Sequence, residues 1–470
     1  MRRVFVLGAV FAAVSLMTVP ARAQERTVPA GQADVQLSYA PLVKRVAPAV
    51  VNVYASRVIT QQRPRFPFED PLFQEFFGGQ MPSQPRERMQ RSLGSGVLVG
   101  EEGLVVTNNH VIAGMTDVKV SLVDQREFDA DLVLTDPTSD IAVLRIRDGK
   151  GKFPVVPLVP ADTAEVGDIV LAIGNPFGLG QSVSQGILSA VRRVQKKGGD
   201  QAVYLQTDAA INQGNSGGAL IDMNGNLVGI NTSIFTKGGG SDGIGFAVPS
   251  SIVKLVLDAA RAGEKVVRRP WLGAELQTVT REIAESMSVD RPFGALVADV
   301  DPQSPAARAG LKAGDIVMSI DGKPVEDPTA LSYQLTIRRI GTEARLNFLR
   351  DGREMNAALK VEPAPETVPR DEQLLSGKGP LSGAKVVNLS PAVAEEIGLE
   401  GPSAGVLVLD IARGSIAARV GLEKGDRVLM LNDRKIETVK SLAAINAEDE
   451  NLWKVTIQRG AQVITRMFRF

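Results

Sequence analysis

The stretch Gly214-Asn215-Ser216-Gly217-Gly218 places a serine in a glycine-flanked turn, and the 470-residue chain contains a single histidine, His110. A serine hydroxyl becomes an effective nucleophile only when a base takes its proton, and at neutral pH imidazole is the usual base. If Ser216 acts as a nucleophile with a histidine base, that base is therefore His110.

The surroundings of His110 favour this chemistry over an ordinary core or surface histidine. The residues Leu104-Val105-Val106-Thr107 are typical of a strand, and His110 lies just past its end. Asp140 precedes a second strand-like run, Ile141-Ala142-Val143-Leu144. The order His, Asp, Ser along the chain is that of chymotrypsin-type proteases. Asp140 could instead form an Asx turn before the strand. Asp136, four residues earlier, is the other aspartate that could orient the histidine.

Two other patterns in the chain point to different enzyme classes. Gly214-x-Ser216-x-Gly218 also fits the nucleophile elbow of α/β-hydrolases, which place their histidine after the serine, and this chain has none there. Ser251-Ile252-Val253-Lys254 contains the serine–lysine spacing of penicillin-binding enzymes, but the S-D-N and K-T-G partners are missing. We predict that this stretch instead opens an amphipathic helix over Ser250–Ala262.

Composition excludes several further classes. Lys plus Arg and Asp plus Glu both number 53, and without a long basic run a nucleic-acid partner is not expected. Because cysteine is absent, the chain has no disulfides, thiol catalysis or cysteine metal sites. One histidine and no H-E-x-x-H motif exclude the usual zinc hydrolase, so no metal and no cofactor is expected.

The N-terminus has the features of an export signal. Met1-Arg2-Arg3 is a short basic head, Val4 to Val19 is apolar, and Ala21-Arg22-Ala23 fits the small-x-small cleavage rule. We predict cleavage after Ala23 and an exported, periplasmic protein without a stable membrane anchor. The alternative is an uncleaved anchor, since the apolar run is near the lower limit for spanning. The two arginines leave the general and the twin-arginine routes open.

Short β-branched runs separated by turns fill the region from about Leu42 to Pro249. Examples are Gly96-Val97-Leu98-Val99 and Ile169-Val170-Leu171-Ala172-Ile173, and Asn224-Gly225 is a strong hairpin signal. Many short strands at this spacing predict an all-β barrel or sandwich. The histidine and aspartate fall in the first half and the serine in the second, which predicts a site between two barrels.

The C-terminal part contains an internal repeat. Gly294-Ala295-Leu296-Val297 recurs as Gly405-Val406-Leu407-Val408, and Gly310 to Asp315 recurs as Gly421 to Asp426, with an offset of 111 residues in both cases. The repeat predicts two similar modules. The Pro-rich stretch Glu362-Pro363-Ala364-Pro365 and the polar segment after it are typical of a linker.

Several motifs taken together resemble the HtrA/Deg family of periplasmic serine proteases, of the Do-like type with two PDZ domains. They are Leu93-Gly94-Ser95-Gly96-Val97, Val106-Thr107-Asn108-Asn109-His110-Val111, Ser139-Asp140-Ile141-Ala142, Gly174-Asn175-Pro176-Phe177-Gly178, Gln206 to Asn212, and Gly214 to Gly218. The resemblance covers essentially the whole mature chain. It implies a mainly β protein, with a trypsin-like double barrel followed by two PDZ domains of α+β type.

The resemblance also implies roles for the site residues. His110 would be the general base, Asp140 would orient its ring, and Ser216 would be the nucleophile. The backbone N–H groups of Gly214 and Ser216 would form the oxyanion hole, which requires a tight turn without an obstructing side chain.

Residues just before the nucleophile form the floor of the primary pocket in trypsin-like folds. Here they are Ala210 and Ile211, with no acidic residue to attract Lys or Arg, so we expect cleavage after small aliphatic side chains. Core packing of the second barrel is the alternative role for both. Asn215 completes the substrate-binding set expected in the protease domain.

PDZ domains bind peptides by adding a strand to a sheet edge and holding the terminal carboxylate on backbone N–H groups. Trp271-Leu272-Gly273-Ala274 matches this carboxylate loop in the first module. The second module has Leu381-Ser382-Gly383-Ala384, with serine where an apolar residue is usual, so either peptide binding or a packing role is open there.

Two further features resemble regulatory elements of the family. The phenylalanine-rich segment Phe66 to Phe77 resembles a long loop that reaches a neighbouring subunit, the alternative being a disordered insertion. Because the chain contains no cysteine, control of this loop by a redox-sensitive disulfide is excluded. Arg193 aligns with the arginine that senses PDZ occupancy, and an ordinary solvated loop is its alternative role.

These observations predict a signal peptide over 1–23, a protease domain over 24–262, a first PDZ domain over 263–363, a linker over 364–380 and a second PDZ domain over 381–470. The predicted function is ATP-independent degradation of misfolded exported proteins by a homotrimer, which can form larger cages, with unfolded chains and their C-termini as partners. The alternatives are a chaperone or scaffold with secondary proteolysis, and a site-specific stress-signalling protease.

Overall fold

The structure is a computed structural model that describes residues 38–60, 87–149, 151–159, 164–175, 180–195, 201–212, 214–234, 243–287, 289–397, 399, 404–460 and 462–469. The predicted signal peptide and the phenylalanine-rich segment lie outside these residues. No helix in the described ranges is both long and apolar enough to cross a membrane.

The first half of the region predicted to be a protease domain is a closed six-stranded antiparallel barrel. A short helix, α1 (Ala40–Val46), and one 3₁₀ turn (Ala47–Ala49) lead into it. Its strands follow the order β1-β2-β3-β6-β5-β4. Every residue of β3 is buried, because a strand inside a small closed barrel faces the core on one side and neighbouring chain on the other. The strands are β1 (Val50–Thr60), β2 (Glu87–Gly100), β3 (Leu104–Asn108), β4 (Asp117–Ser121), β5 (Glu127–Asp136) and β6 (Ile141–Ile146).

A second closed barrel also has six strands, in the order β10-β11-β12-β9-β8-β7. The predicted Asn224-Gly225 turn joins β10 to β11, and Gly225 has a φ of +81°, which the left-handed turn requires. The strands are β7 (Ile169–Gly174), β8 (Ser182–Gln195), β9 (Gln201–Thr207), β10 (Ala219–Ile221), β11 (Leu227–Ile234) and β12 (Gly245–Pro249). The double barrel expected from the sequence is confirmed.

Two further helices accompany the barrels, one after β3 and one after β12. The one-turn helix α2 (Asn109–Ile112) follows β3 directly and carries His110. The predicted amphipathic helix is present as α3 (Ser250–Arg261), whose apolar side is buried. Ser251 and Lys254 therefore lie in a helix after β12 and not in the turn at 214–218.

The repeat predicted from the sequence forms two sheets of related topology. The first sheet has the order β13-β14-β15-β17-β18, with β16 paired to β15. Its own hydrophobic core includes Leu272, Val297 and Leu346. Its elements are β13 (Ala274–Thr278), α4 (Arg281–Ser286), β14 (Ala295–Val300), α5 (Pro305–Arg308), β15 (Ile316–Ile320), β16 (Lys323–Pro324), α6 (Pro328–Thr336), β17 (Glu343–Arg350) and β18 (Arg353–Lys360).

The second sheet has the order β19-β20-β21-β22-β24-β25, with β23 paired to β22. It contains an edge strand, β19, that has no counterpart beside β13, and this strand lies within the segment predicted as a linker. The elements are β19 (Gln373–Leu374), β20 (Ala384–Leu389), α7 (Pro391–Glu396), β21 (Gly405–Ile411), α8 (Ile416–Arg419), β22 (Arg427–Leu431), β23 (Arg434–Lys435), α9 (Val439–Asn446), β24 (Leu452–Arg459) and β25 (Gln462–Arg469).

Candidate active site

The end of β3 and the loop before β6 hold each other in place. The backbone oxygen of Asp140 accepts hydrogen bonds from the backbone N–H of Asn109 and from Nδ2 of Asn108, both at 3.0 Å. Asp140 adopts a φ of +59°, a left-handed conformation that aspartate tolerates better than most residues. These bonds fix the start of α2, and with it His110, relative to the carboxylate.

The carboxylate of Asp140 binds both the ring and the backbone of His110. Its Oδ2 lies 2.7 Å from Nδ1 of His110, and its Oδ1 accepts the His110 backbone N–H at 2.9 Å. A carboxylate on Nδ1 holds the tautomer in which Nε2 is free to accept a proton. The imidazole is about half exposed, with 51% of its side-chain surface accessible, so its Nε2 side can be reached from solvent.

Asp140 is held in its charged form. Burial raises the pKa of this carboxyl, but the hydrogen bonds and charge of His110, together with the Thr232 hydroxyl, lower it more. The pKa of Asp140 therefore lies below its ordinary value, and the carboxylate is ionised at neutral pH.

The Ser216 turn contains two glycines in a conformation that would be strained for other residues. Gly214 and Gly217 have φ values of +96° and +85°. A Cβ on Gly217 would lie 2.0 Å from the backbone oxygen of Ser95, closer than real Cβ atoms approach. Within the described residues, the N–H groups of Gly214 and Ser216 donate to no protein acceptor, as donors of an oxyanion hole must in the absence of substrate.

The hydroxyl of Ser216 is bound to the backbone of β11. Its Oγ donates to the backbone oxygen of Thr232 at 2.8 Å, and in the described part of the chain it makes no hydrogen bond with His110. The two candidate residues His110 and Ser216 therefore share no direct hydrogen bond in this conformation.

Thr232 is a site residue that the sequence analysis missed. Its hydroxyl donates to Oδ2 of Asp140 at 2.8 Å while its backbone oxygen holds the Ser216 hydroxyl. It thus contacts two of the three predicted catalytic residues. A threonine in the run of β11 carries no local pattern that would have singled it out.

Ser95 is a second missed residue, and it links the two barrels. Its fully buried hydroxyl donates to the backbone oxygen of Gly214 at 2.7 Å and accepts the backbone N–H of Asn175 at 2.9 Å. Its own N–H donates to the backbone oxygen of Ser216 at 2.8 Å. Ser95 thus fixes the orientation of the nucleophile turn. Its position in Leu93-Gly94-Ser95-Gly96-Val97 was a signal, but the motif did not assign it a role.

Asp136, the alternative to Asp140, lies elsewhere. It is buried, and its Oδ2 accepts hydrogen bonds from Ser139 and from Arg269, which precedes the first PDZ module. Among the described contacts none joins Asp136 to His110. Its position is that of a buried ion-pair partner.

The residues before the turn separate into exposed and buried positions. Ala210 is exposed, and Ser184 donates to its backbone oxygen at 2.7 Å. Ile211 is 1% exposed and belongs to the core of the second barrel, where its Cδ1 would lie 2.7 Å from a Cβ on Gly245. Asn215 is also buried, and its Oδ1 accepts the Ser182 hydroxyl at 3.3 Å, a contact that supports the turn.

The stretch predicted as the carboxylate loop of the first PDZ module forms a turn before β13. Gly273 has a φ of +68°, and the backbone oxygens of Leu272 and Gly273 accept bonds from the N–H groups of Ala306 and Asp301 at 3.1 and 2.9 Å. The N–H groups of Leu272 and Gly273 themselves have no acceptor among the described residues. The backbone N–H of Trp271 donates to the backbone oxygen of Glu362, and Ala274 begins β13.

Arg193 lies in β8 opposite Val203 of β9, and the structure describes its backbone only. The helix α6, beside the first carboxylate loop, contacts β9 of the second barrel. A continuous path of elements therefore connects the first PDZ module to the strand pair that carries Arg193.

Comparisons with known proteins agree with this architecture. A model of the trypsin-like peptidase domain matches residues 94–230, and two PDZ-domain models match residues 270–361 and 381–457. Periplasmic serine endoprotease DegP of Escherichia coli (strain K12) is 37% identical over 450 residues, covering 91% of each chain. The DegP of Salmonella typhimurium (strain LT2) is 36% identical over 470 residues, covering 95% of each. The chain belongs to the DegP/HtrA family of serine endoproteases.

Membership in the DegP/HtrA family agrees with the solved structures. The HtrA-type protease AlgW with decapeptide is 43% identical, with a TM-score of 0.52 over 70% of this chain and 99% of that one. The same protease with tripeptide is 40% identical, with a TM-score of 0.52. The chain is therefore a serine endopeptidase with a trypsin-like domain and two PDZ domains, which confirms the predicted class of enzyme.

Proposed function

We propose that the endopeptidase activity of this chain is carried by His110, Asp140 and Ser216, with the N–H groups of Gly214 and Ser216 as the oxyanion hole. The observation that supports these roles most directly is the 2.7 Å contact between Nδ1 of His110 and Asp140. It leaves Nε2 as the one ring nitrogen able to serve as a base, on a half-exposed imidazole.

The reaction would start with rotation of the Ser216 hydroxyl from Thr232 toward Nε2 of His110. Nε2 takes the hydroxyl proton as Oγ bonds to the substrate carbonyl carbon, and the carbonyl oxygen becomes an oxyanion held by the two N–H groups. The imidazolium, stabilised by the charged Asp140, gives its proton to the leaving amine as the C–N bond breaks. Water then repeats the sequence on the acyl-enzyme, and Ser216 regains its proton from His110.

We infer that the substrates are unfolded or misfolded exported polypeptides. Relatives are named periplasmic, and the predicted signal peptide ending at Ala23 would deliver the chain to that compartment. N-terminal sequencing of protein isolated from the periplasm should begin at Gln24. We further propose a homotrimer that can form larger cages, for which light scattering of the purified protein gives the mass.

Substrate preference is the first consequence that can be tested on products. We expect cleavage after Val, Ala, Ile or Thr and almost none after Lys or Arg. A charged side chain would lose its hydration beside the exposed Ala210, and neither Ala210 nor the buried Ile211 offers it an acidic partner. Mass spectrometry of peptides released from casein provides the measurement, and a majority of cuts after basic residues would show that an acidic group lines the pocket.

Activation through the first PDZ domain is the second consequence. Peptides with a free, apolar C-terminus should raise the rate on a small chromogenic substrate, because the N–H groups of Leu272 and Gly273 are available to the carboxylate. Binding would favour the conformation in which Ser216 meets His110, only as far as the peptide's differential affinity allows.

Three changes should remove this activation. They are amidation of the peptide, deletion of residues 270–470 and Arg193→Ala, since Arg193 is our candidate for the link between the sites. Arg192→Ala is the matched control, because neighbouring residues in a strand face opposite sides of the sheet. If the deletion variant still responds to peptide as the full chain does, the activating site lies in the protease domain.

A further inference from the structure

The carboxylate loops of the two PDZ domains are built alike, which allows a direct comparison within one chain. In the first, the backbone oxygens of Leu272 and Gly273 accept the N–H groups of Ala306 and Asp301. In the second, the backbone oxygens of Ser382 and Gly383 accept the N–H groups of Ala417 and Ala412, at 3.1 and 2.8 Å. A Cβ on either loop glycine would lie 2.2 Å from a serine Cβ of the following helix cap, Ser304 or Ser415.

The two domains differ at the edge where a peptide would bind. In the first sheet β13 is the terminal strand, so its outer edge is available for an added strand. In the second sheet the corresponding strand, β20, is already paired on that edge with β19 in antiparallel register, Gln373 opposite Val386 and Leu374 opposite Lys385. The segment Gln373–Ser376, called the strap below, therefore occupies the position of a peptide ligand.

Leu375 of the strap has the contacts expected of a ligand's C-terminal residue. Its N–H donates to the backbone oxygen of Ala384 at 2.9 Å, and its backbone oxygen accepts the N–H of Gly383 at 2.8 Å. Its side chain is 2% exposed and belongs to the domain's hydrophobic core together with Leu381 and Leu442. The neighbouring Leu374 is 61% exposed, so the apolar anchor is Leu375 alone.

The remaining N–H groups of the loop are also used. Ser382 donates to Gly379 at 3.1 Å, and Ala384 donates to Leu381 at 2.9 Å. The N–H of Leu381 donates to Oδ1 of Asn446 at 2.9 Å, and Nδ2 of the fully buried Asn446 donates to the strap at the backbone oxygen of Ser376, at 3.4 Å. No N–H group of this loop is left for a carboxylate, in contrast to Leu272 and Gly273.

We propose that the strap is a built-in ligand of the second PDZ domain, which closes this groove to peptides with an apolar residue and a free carboxylate at the C-terminus. A competing peptide must displace the buried Leu375 and its two backbone bonds before it can bind. The apparent affinity for peptide is reduced in proportion to the small fraction of molecules in which the strap is released. We therefore expect peptide to bind the second domain at least about 100-fold more weakly than the first.

The test is calorimetric titration of the full chain carrying Ser216→Ala, which prevents digestion, with a decapeptide ending in Val. Carboxylate-dependent sites are counted by comparison with the amidated peptide. We expect one such site per chain. Leu375→Glu places a charge in the apolar groove and should release the strap, which raises the number to two, while the exposed matched control Leu374→Glu should leave it at one.

Two carboxylate-dependent sites of similar affinity without the Leu375 substitution, or one site in a Leu375→Glu variant with an unchanged circular dichroism spectrum, would overturn the proposal. If the Leu375→Glu variant fails to fold, hydrogen exchange of the chain without this substitution tests the proposal instead. In the unaltered chain the N–H groups of Leu375 in the strap and of Gly383 in the loop should exchange slowly without peptide. Those of Leu272 and Gly273 should become protected only when peptide is added. Fast exchange at Leu375 and Gly383 would contradict a closed groove.

Discussion

Replacing Ser216 with alanine should lower the turnover of casein by about four to six orders of magnitude, because members of a catalytic triad act as a unit. His110→Ala should have a similar effect, since no second histidine exists to substitute for it. Binding of unfolded protein should survive in both variants. The measurement is the steady-state rate of casein digestion, with binding followed by anisotropy of a labelled substrate.

Ser250→Ala is the matched control for loss of a serine hydroxyl. Ser250 is fully buried and donates to the backbone oxygen of Val159 at 2.5 Å, in the same domain as Ser216. Its substitution should lower stability by about 1 kcal/mol and leave turnover within a few-fold of the unaltered chain. Casein digestion by Ser216→Ala at a near-normal rate would show that another residue is the nucleophile.

Asp140→Asn should lower kcat by about four orders of magnitude while the protein stays folded. Asp140 accepts hydrogen bonds on both oxygens, from the His110 backbone on Oδ1 and from Nδ1 of His110 and the Thr232 hydroxyl on Oδ2. An amide has one acceptor oxygen and no charge to stabilise an imidazolium. The ring is then expected to adopt the tautomer in which Nε2 carries the proton and cannot act as a base. Single-turnover kinetics on a chromogenic peptide separates this loss from weaker binding.

Asp136→Asn distinguishes the two aspartates, which lie four residues apart. Asp136 pairs with Arg269 in a buried environment, so its loss should lower the free energy of unfolding by about 3 kcal/mol with little effect on kcat. Thermal unfolding monitored by circular dichroism provides the stability. If Asp136→Asn were as inactive as Asp140→Asn but as stable as the unaltered chain, Asp136 and not Asp140 would be the carboxylate that orients His110.

The main outline of the site could be predicted because its signals are local. Leu104 to Thr107 and Ile141 to Leu144 have the composition of buried strands, and both form strands that end or begin beside a catalytic candidate. The glycines at 214 and 217 indicate a turn with positive φ, which the structure contains. Each inference depended on a few neighbouring residues.

Thr232 and Ser95 could not be found in the same way because their roles come from contacts distant in sequence. The Thr232 hydroxyl reaches Asp140 across 92 residues, and the Ser95 hydroxyl reaches Gly214 across 119. A hydroxyl-bearing residue in a strand has the same local appearance whether it binds a catalytic group or solvent. Closure of the two barrels against each other gives these residues their partners.

The strap illustrates the same limit in the second PDZ domain. The repeat identified Leu381-Ser382-Gly383-Ala384 as a carboxylate loop, but Gln373–Ser376 was interpreted as part of a linker. A two-residue strand has no periodicity to detect, and its partner strand lies beyond an intervening turn. The substitution of serine for an apolar residue at 382 was a weaker signal of the same difference between the domains.

The hydrogen bond of the Ser216 hydroxyl suggests where the proposed control could act. The hydroxyl is bound to Thr232 instead of His110, whereas the N–H groups of the proposed oxyanion hole are already available. In the proposed mechanism the Ser216 hydroxyl has to exchange the Thr232 oxygen for Nε2 of His110. A regulator that shifts the rotamer of one serine would therefore change activity without rebuilding the domain.

Covalent labelling of the nucleophile tests the central claim most directly. The full chain is treated with a fluorophosphonate, with and without an activating C-terminal peptide, and the modified residue is identified by mass spectrometry. We predict one phosphonyl group per chain, on Ser216, added faster with peptide, absent in Ser216→Ala and strongly slowed in His110→Ala. A modified residue other than Ser216, or full proteolysis by a chain that takes up no label, would contradict the assignment of His110, Asp140 and Ser216 as the catalytic residues.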